Sequence, residues 1–339
     1  MFRRLMRIGA LGRGAASAVD PQDTPLVLTC TTTGAQTLTL QGLTVAAGKT
    51  VVVDWGDTNT NTYTAGAGTR THAYAGAGTY TVKIANRRNI TLIDFEDTKI
   101  TSLIINSTNP LPTGLTSLTL KTLAGLTYNA NTNPLPTGLT YLTLNTLAGL
   151  TYNDNTNPLP TGLTYLSLLT LAGLTYNANT NPLPTGLTYL YLAILAGLTY
   201  NANTNPLPTG LTILSLYTLT GLTWEIKSGA AWPTGATVAT ITGCPSVTCT
   251  AWTDNAIHSI QAENAYSQAN VDAFINAIWA NKANFTYATP TLDLLGGSNA
   301  APSGTYQNNC PPTSGKEYAY DLVNDNCGHG GPKWVVQTA

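Results

Sequence analysis

Residues Asn133 to Thr156 read NPLPTGLTYLTLNTLAGLTYNDNT. Nearly the same 24 residues recur as Asn109–Thr132, Asn157–Thr180 and Asn181–Thr204, and a fifth copy dissolves after Trp224. Self-similarity at such a period is the mark of a solenoid, in which each unit buries its apolar face only against its neighbours. Within the unit, Leu142 and Leu144 alternate with Tyr141, Thr143 and Asn145. Period two places the leucines on one face of a strand and the other three on the opposite face. Stacked copies, about 4.8 Å apart, would pair in parallel and align the leucines into one interior. The Asn-Pro-Leu-Pro-Thr-Gly segment ends each coil, because proline cannot join a ladder and glycine admits a tight return. No stretch between strands is long enough for a helix, so the outer side is expected to be extended or a short 3₁₀ turn.

The leucine spacing, L-x-x-L-x-L-x-x-L-x-x-L at Leu139, Leu142, Leu144, Leu147 and Leu150, resembles the leucine-rich repeat family. That resemblance implies a parallel-β solenoid. The family's usual Asn or Cys after the strand is replaced by Leu123, Leu147, Leu171, Leu195 and Leu219, which removes the basis for its asparagine ladder. Ile90 to Ser107 reads as degenerate first coils covering the open end.

The positions opposite the leucines do not repeat. The first column runs Ser117, Tyr141, Tyr165, Tyr189, Ile213, the second Thr119, Thr143, Ser167, Tyr191, Ser215, and the third Lys121, Asn145, Leu169, Ala193, Tyr217. Alternation puts all three on the exposed face. Either surface positions drift freely after duplication, or this face binds something through Tyr141, Tyr165, Tyr189, Tyr191, Tyr217, Lys121 and Asn145. Tyrosine supplies rigid amphipathic contact area at low entropic cost, which suits recognition of a protein or a glycan. The constant series Tyr128, Tyr152, Tyr176 and Tyr200 reads instead as a structural ladder.

Upstream, Leu26–Leu28, Thr37–Leu40, Thr50–Val53 and Tyr80–Ile84 are β-type runs between Gly- and Asn-rich turns. Val51-Val52-Val53-Asp54-Trp55-Gly56-Asp57, His72-Ala73-Tyr74 and Gly78-Thr79-Tyr80-Thr81-Val82 resemble the polycystic-kidney-disease (PKD) type β-sandwich. The resemblance implies a spacer or interaction module, with Trp55 packed between sheets, Gly56 in a sharp turn and the Asp54 and Asp57 side chains holding turn amides. Two carboxylates without an acidic cluster make a poor calcium cage. His72 has no nucleophile or paired base, and reads as a packing residue.

At the other end a solenoid needs a cap. Ser267 followed by Val271, Phe274, Ile275, Ile278 and Trp279 predicts an amphipathic helix with an N-cap, and Thr291–Leu295 resumes a strand. "VDAFINAIWANK … TLDLLGGSNAAPS … KWVV" resembles the closing segment of leucine-rich repeat proteins of bacteriophages and gut-type bacteria. Of five cysteines, Cys244, Cys249, Cys310 and Cys327 are candidates for disulfides or for buried thiols. A zinc site of those four with His329 lacks the usual short Cys-x2-Cys spacing.

The expected organisation is mainly β: a basic arm over 1–24, a PKD-like β-sandwich over 25–88, a leucine-rich repeat solenoid over 89–226 with 24-residue repeats from 109, and a mixed α/β capping region over 227–339. Arg13 interrupts an apolar segment already too short for a secretory signal. The arm is therefore expected to be solvated, or to dock into an assembly through Arg3, Arg4, Arg7 and Arg13.

Only 9% of residues are Asp, Glu, Lys or Arg, against roughly 25% in an average soluble domain, and the net charge is -1. Such a chain has no field to attract nucleic acid or an anionic membrane. No nucleophile elbow, phosphate-cradling loop, metal-spaced histidines or apolar carboxylate pair is present, so no enzyme and no cofactor are expected. The expectation is a virion surface protein of a bacteriophage, a fibre, decoration or receptor-binding component. It would meet other virion proteins through its N-terminal region, and a host-surface protein or glycan through the solenoid. The alternatives are a bacterial secreted or cell-surface adhesin, and a structural spacer without ligand. A homo-oligomer is compatible with each, although no heptad specifies one.

Overall fold

The structure, a computed structural model, describes residues 20–227, 232–233, 235–252, 256–296 and 298–339. The arm residues Arg3, Arg4, Arg7 and Arg13 lie outside the described residues. The chain is mainly β, built on a parallel β-solenoid of about seven turns. Front strands Ser117–Lys121, Tyr141–Asn145, Tyr165–Leu169, Tyr189–Ala193, Ile213–Tyr217 and Val238–Thr242 pair in unbroken register, tyrosine on tyrosine and leucine on leucine. The leucines fill the interior: Leu142, Leu166 and Leu190 are fully buried.

The outer side, expected to be extended or a short 3₁₀ turn, is extended and pairs into a second parallel sheet. Its strands Leu126–Asn129, Leu150–Asn153, Leu174–Asn177 and Leu198–Asn201 repeat Leu-Thr-Tyr-Asn, and Leu222–Ile226 follows as Leu-Thr-Trp-Glu-Ile. Alternation sends Leu and Tyr inward and Thr outward, so Tyr128, Tyr152, Tyr176 and Tyr200 are buried core residues.

Two details hold the coils at their spacing. Each Thr at the mouth of a front strand donates both N–H and Oγ1 to the same threonine carbonyl of the preceding coil, as Thr140 does to Thr116 at 2.8 and 3.1 Å and Thr164 to Thr140. At the turn between sheets a Cβ on Gly149 would lie 1.6 Å from Leu126 O, and the glycines of the neighbouring coils are equally confined. Only glycine fits where one backbone crosses another this closely.

The solenoid runs past the boundary expected at 226. Val238–Thr242 joins the front sheet and Val247–Cys249 the back sheet, with Ala239 and Ile241 in leucine positions. By the same register Cys244 stands where Leu219 stood and Cys249 where Trp224 stood. These two do not form a disulfide: they are free, buried core thiols. Burial pushes the Cys244 thiol up to about 11 and raises that of Cys249 further. Cys310 and Cys327 are joined in a disulfide.

The N-terminal strands are antiparallel and merge with the solenoid. Leu26–Thr32 pairs with Gly78–Ala85 and Ile100–Ile105, and the long strand Gly42–Asp54 pairs with Thr60–Gly66, Gly78–Ala85 and Ile90–Phe95. Ile90–Phe95 and Ile100–Ile105 then pair in parallel with the first repeat. Trp55 is fully buried, stacked on His72 and donating Nε1 to Asn61 Oδ1 at 2.7 Å. Tyr74 Oη donates to Trp55 O at 2.8 Å. Asp54 and Asp57 accept the Gly56 and Asn59 amides, and Asp57 also holds His72. Arg87, fully buried, donates to the carbonyls of Thr24, Pro25 and Pro110 and to Asn109 Oδ1, fastening the first strand to the first repeat.

At the C-terminal end helices replace the back strands. Ser259–Glu263, Thr291–Leu294 and Val335–Thr338 extend the front sheet, with helix α1 (Gln268–Ala280) and helix α2 (Gly315–Asn324) between them. Ser267 caps α1 by accepting Asn270 N–H, and Val271, Phe274, Ile275 and Ile278 are buried. An asparagine ladder follows the front strands here. Asn264 holds Cys244 N–H and Ile241 O, and Asn299 holds Asn264 N–H and Ala262 O.

Candidate functional site

The front sheet carries its three variable columns outward. Tyr141, Tyr165 and Tyr189 stand on successive strands, half-buried, with ring centroids 4.1 and 4.2 Å apart and planes within 13° and 7°. The strand spacing alone enforces this stack, since in-register parallel pairing sets identical side chains over one another. Stacked rings cover each other's faces, so the row offers ring edges and phenol hydroxyls to a ligand. Burial, reinforced by the hydroxyls of Tyr141 and Tyr189, raises the Tyr165 pKa and keeps the phenol neutral. Tyr191 and Tyr217 continue the aromatic area diagonally, 5.4 Å apart and tilted by 36°. The five tyrosines therefore form one surface.

The middle column differs from expectation. Thr119 and Thr143 are 6% exposed, Ser215 and the third-column Ala193 9% and 1%, so these short side chains form a floor between longer flanking ones rather than open surface. Lys121 is not a free cation: its Nζ meets Glu96 Oε2 at 3.0 Å, a bond that raises its pKa. Asn145 Oδ1 accepts Thr146 Oγ1 at 2.7 Å.

Beyond Tyr217 the face changes character. Ser259, Gln261, Thr291, Asp293 and Gln337 line a shallow depression of about 260 Å³. The repeat pattern had faded there, and only the continued register shows that Val238, Ser259 and Thr291 prolong the first column. The signal was present as alternation in Val-Ala-Thr-Ile-Thr and Ser-Ile-Gln-Ala-Glu.

Among the described residues the one metal-spaced group is Asp321, Cys327 and His329. Cys327 is in the disulfide, and Asp321 is held by Trp279 Nε1, Lys282 Nζ and the Cys327 amide. That group ties α2 to the cap and offers no open ligand set. Compared with protein-family models and with curated proteins, the chain matches none.

Proposed function

We propose that the chain is a non-enzymatic recognition protein whose front face, centred on Tyr141, Tyr165, Tyr189, Tyr191 and Tyr217, binds a protein or glycan. One observation carries this. Exposed positions elsewhere in the repeat have scarcely changed: Thr113, Thr137, Thr161, Thr185 and Thr209 are exposed and identical, as are Thr127, Thr151, Thr175, Thr199 and Thr223 on the back. Free drift would have scattered these columns too. Change concentrated on one sheet face, in a unit otherwise held constant, supports selection for different contacts at each coil.

The proposed setting is a bacteriophage virion surface, with a bacterial secreted or cell-surface adhesin as the alternative. The closing segment's resemblance to leucine-rich repeat proteins of phages and gut-type bacteria supports both. So does the Cys310–Cys327 disulfide, which suits oxidising surroundings. The PKD-like resemblance of the first module supports a spacer that holds the face away from an anchoring arm.

The test is attachment of the labelled protein to bacterial cells. Tyr165→Ser with Tyr189→Ser should abolish attachment while retaining the β-sheet spectrum, at a stability cost of about 0.5–1.5 kcal/mol per lost aromatic pair. Thr151→Ser with Thr175→Ser, on the back, should leave attachment intact. Equal attachment by the tyrosine variant and the parent would leave the spacer reading standing.

A further inference from the structure

The solenoid has four sheet ends, and the chain covers three of them itself. At the start, Gly42–Val45 runs antiparallel along Ile90–Asp94 of the front sheet, and Leu28–Cys30 along Ile100–Leu103 of the back sheet. At the finish, α1 packs over the last back strand, Val247–Cys249. Among the described residues the front sheet alone ends on an uncovered strand: Val335–Thr338 pairs with Thr291–Leu294, and no second pairing is found on its other side.

Val335 N–H donates to Pro290 O, toward the sheet. In a parallel ladder alternate residues bond to opposite sides, so Val336 and Thr338 turn their N–H and C=O groups to the open edge. Proteins usually blunt such an edge with proline, lysine, a bulge or a covering element. Val335-Val336-Gln337-Thr338 has no proline and no charge. Val335, 52% exposed, stands on the outward face beside the polar depression, while Tyr306 (54%), with Lys316 over its ring, and Val323 of α2 (38%) lie on the helix side. A cavity of about 110 Å³ opens between Tyr306, Val323 and Val336.

We propose that this edge is covered by the same edge of a second copy. Two Val335–Thr338 strands pair antiparallel about a two-fold axis normal to the sheet, an isologous contact of the commonest symmetry. Two features select this occupant. The strand itself carries no charge to repel its own image, and the net charge of -1 leaves whole molecules without mutual repulsion. A two-fold of this kind also closes both open edges at once and leaves no further edge to propagate. The Val335 side chains of both copies then meet on the outward face, and Val323 and Tyr306 on the helix side. The front sheets become one, with both tyrosine faces on the same side, and a multivalent surface would be gripped by two sites at once.

Sedimentation velocity of the full chain over a concentration series tests this. A species of twice the 35.6 kDa monomer mass is expected. Val335→Lys, which removes no buried contact, should raise the dissociation constant about tenfold or more through facing charges, with an unchanged unfolding midpoint at concentrations where both proteins are monomeric. In the parent, exchange of the Val336 and Thr338 amides should slow as concentration rises. A parent that stays monomeric throughout, or a Val335→Lys dimer of undiminished affinity, overturns the proposal. So does a dimer whose Val336 and Thr338 amides exchange at a concentration-independent rate.

Discussion

Thr170→Asn should stabilise this protein. After each front strand one residue takes a left-handed conformation: Thr122 (φ 55°), Thr146 (52°), Thr170 (51°), Ile194 (53°) and Thr218 (51°). Each passes its N–H to the next coil, as Thr170 does to Ala193 O at 3.0 Å, so the conformation is enforced by stacking. For an L-residue this region costs roughly 1–2 kcal/mol, and a β-branched side chain suits it least. Asparagine tolerates it and, unlike glycine, adds little unfolded-state entropy. Thr170 is exposed and no side-chain hydrogen bond would be lost, so the expected gain is about 1 kcal/mol. One coil of the same chain already shows the relaxed solution. Gly243, at φ 67°, donates to Glu263 O in the place where Thr218 donates to Thr242 O. Gly243→Thr should therefore lose about as much as Thr170→Asn gains. Urea unfolding at constant m-value reads both. A Thr170→Asn protein of unchanged or lower stability, beside a neutral Gly243→Thr, would refute the strain argument.

Asp154 replaces the alanine of Ala130, Ala178 and Ala202, is fully buried, and leaves Oδ1 without a hydrogen-bond partner while Oδ2 accepts Asn177 N–H at 2.7 Å. In adjoining coils Asn131 and Asn179 accept the equivalent amide, so Asp154→Ala lets Asn155 take over. It should gain about 1–3 kcal/mol in urea unfolding at pH 7. Gly149→Ala should cost about 3 kcal/mol or more, or abolish folding, because its Cβ meets Leu126 O; a soluble Gly149→Ala protein of parental stability would deny the close stacking. Reducing Cys310–Cys327, which closes a 17-residue separation, should cost about 3 kcal/mol at the C-terminal end, read as a lower melting temperature in dithiothreitol. Burial would raise the Asp321 pKa, but the Cys327 amide, Trp279 and Lys282 together hold it below its ordinary value. A depressed folded pKa gives stability that is complete above the unfolded value of about 3.9 and is lost as pH falls through the folded one. Acid unfolding of α2, followed by exchange of its amides, should therefore begin below about pH 4, and an Asp321→Asn protein should lose that dependence.

Where identity recurs from coil to coil, the fold could be read directly. Leu142 and Leu144 specify an inward row because a one-residue slip would expose both, and 24-residue spacing leaves parallel stacking as the way to bury them. The back sheet was legible only in part: Leu-Thr-Tyr-Asn alternates as strictly, but over four residues, too few to separate a strand from another extended segment or a 3₁₀ turn. Helix α2 was not, because its inward residues include Glu317 and Asp321, and what makes them inward lies outside the helix: Thr313 just before it for one, the distant Lys282 and Trp279 for the other. Thr60–Gly66 was hidden for the opposite reason. Almost all its residues are exposed, so no apolar row marks it as a strand. The tyrosine face was visible as columns, but the sinking of Thr119 and Thr143 to a floor depends on neighbouring side-chain length, which alternation does not encode.

The division of labour within the repeat explains why recognition can vary here without loss of fold. Stacking is fixed by Thr140 and its equivalents, by the confined glycines and by the leucine rows, all of which lie off the outward side of the front strand. An outward residue contributes only cross-strand contact with the same column, which is worth roughly 0.2–1 kcal/mol. Replacing Tyr by Ser or Leu there changes what the face can touch at small cost to stability. The same substitution at Tyr152, one sheet away, would open the core, and that position is Tyr in every full repeat from Tyr128 to Tyr200. Low charge follows from the same geometry. In-register stacking would place any charge in a repeating unit directly over its copies at strand spacing, and like charges so placed repel. Hydroxyls and amides stack without that penalty. Acidic and basic side chains are accordingly confined to positions that do not recur, such as Lys121 beside Glu96, Asp154, and Glu263 and Asp293 beyond the last repeat.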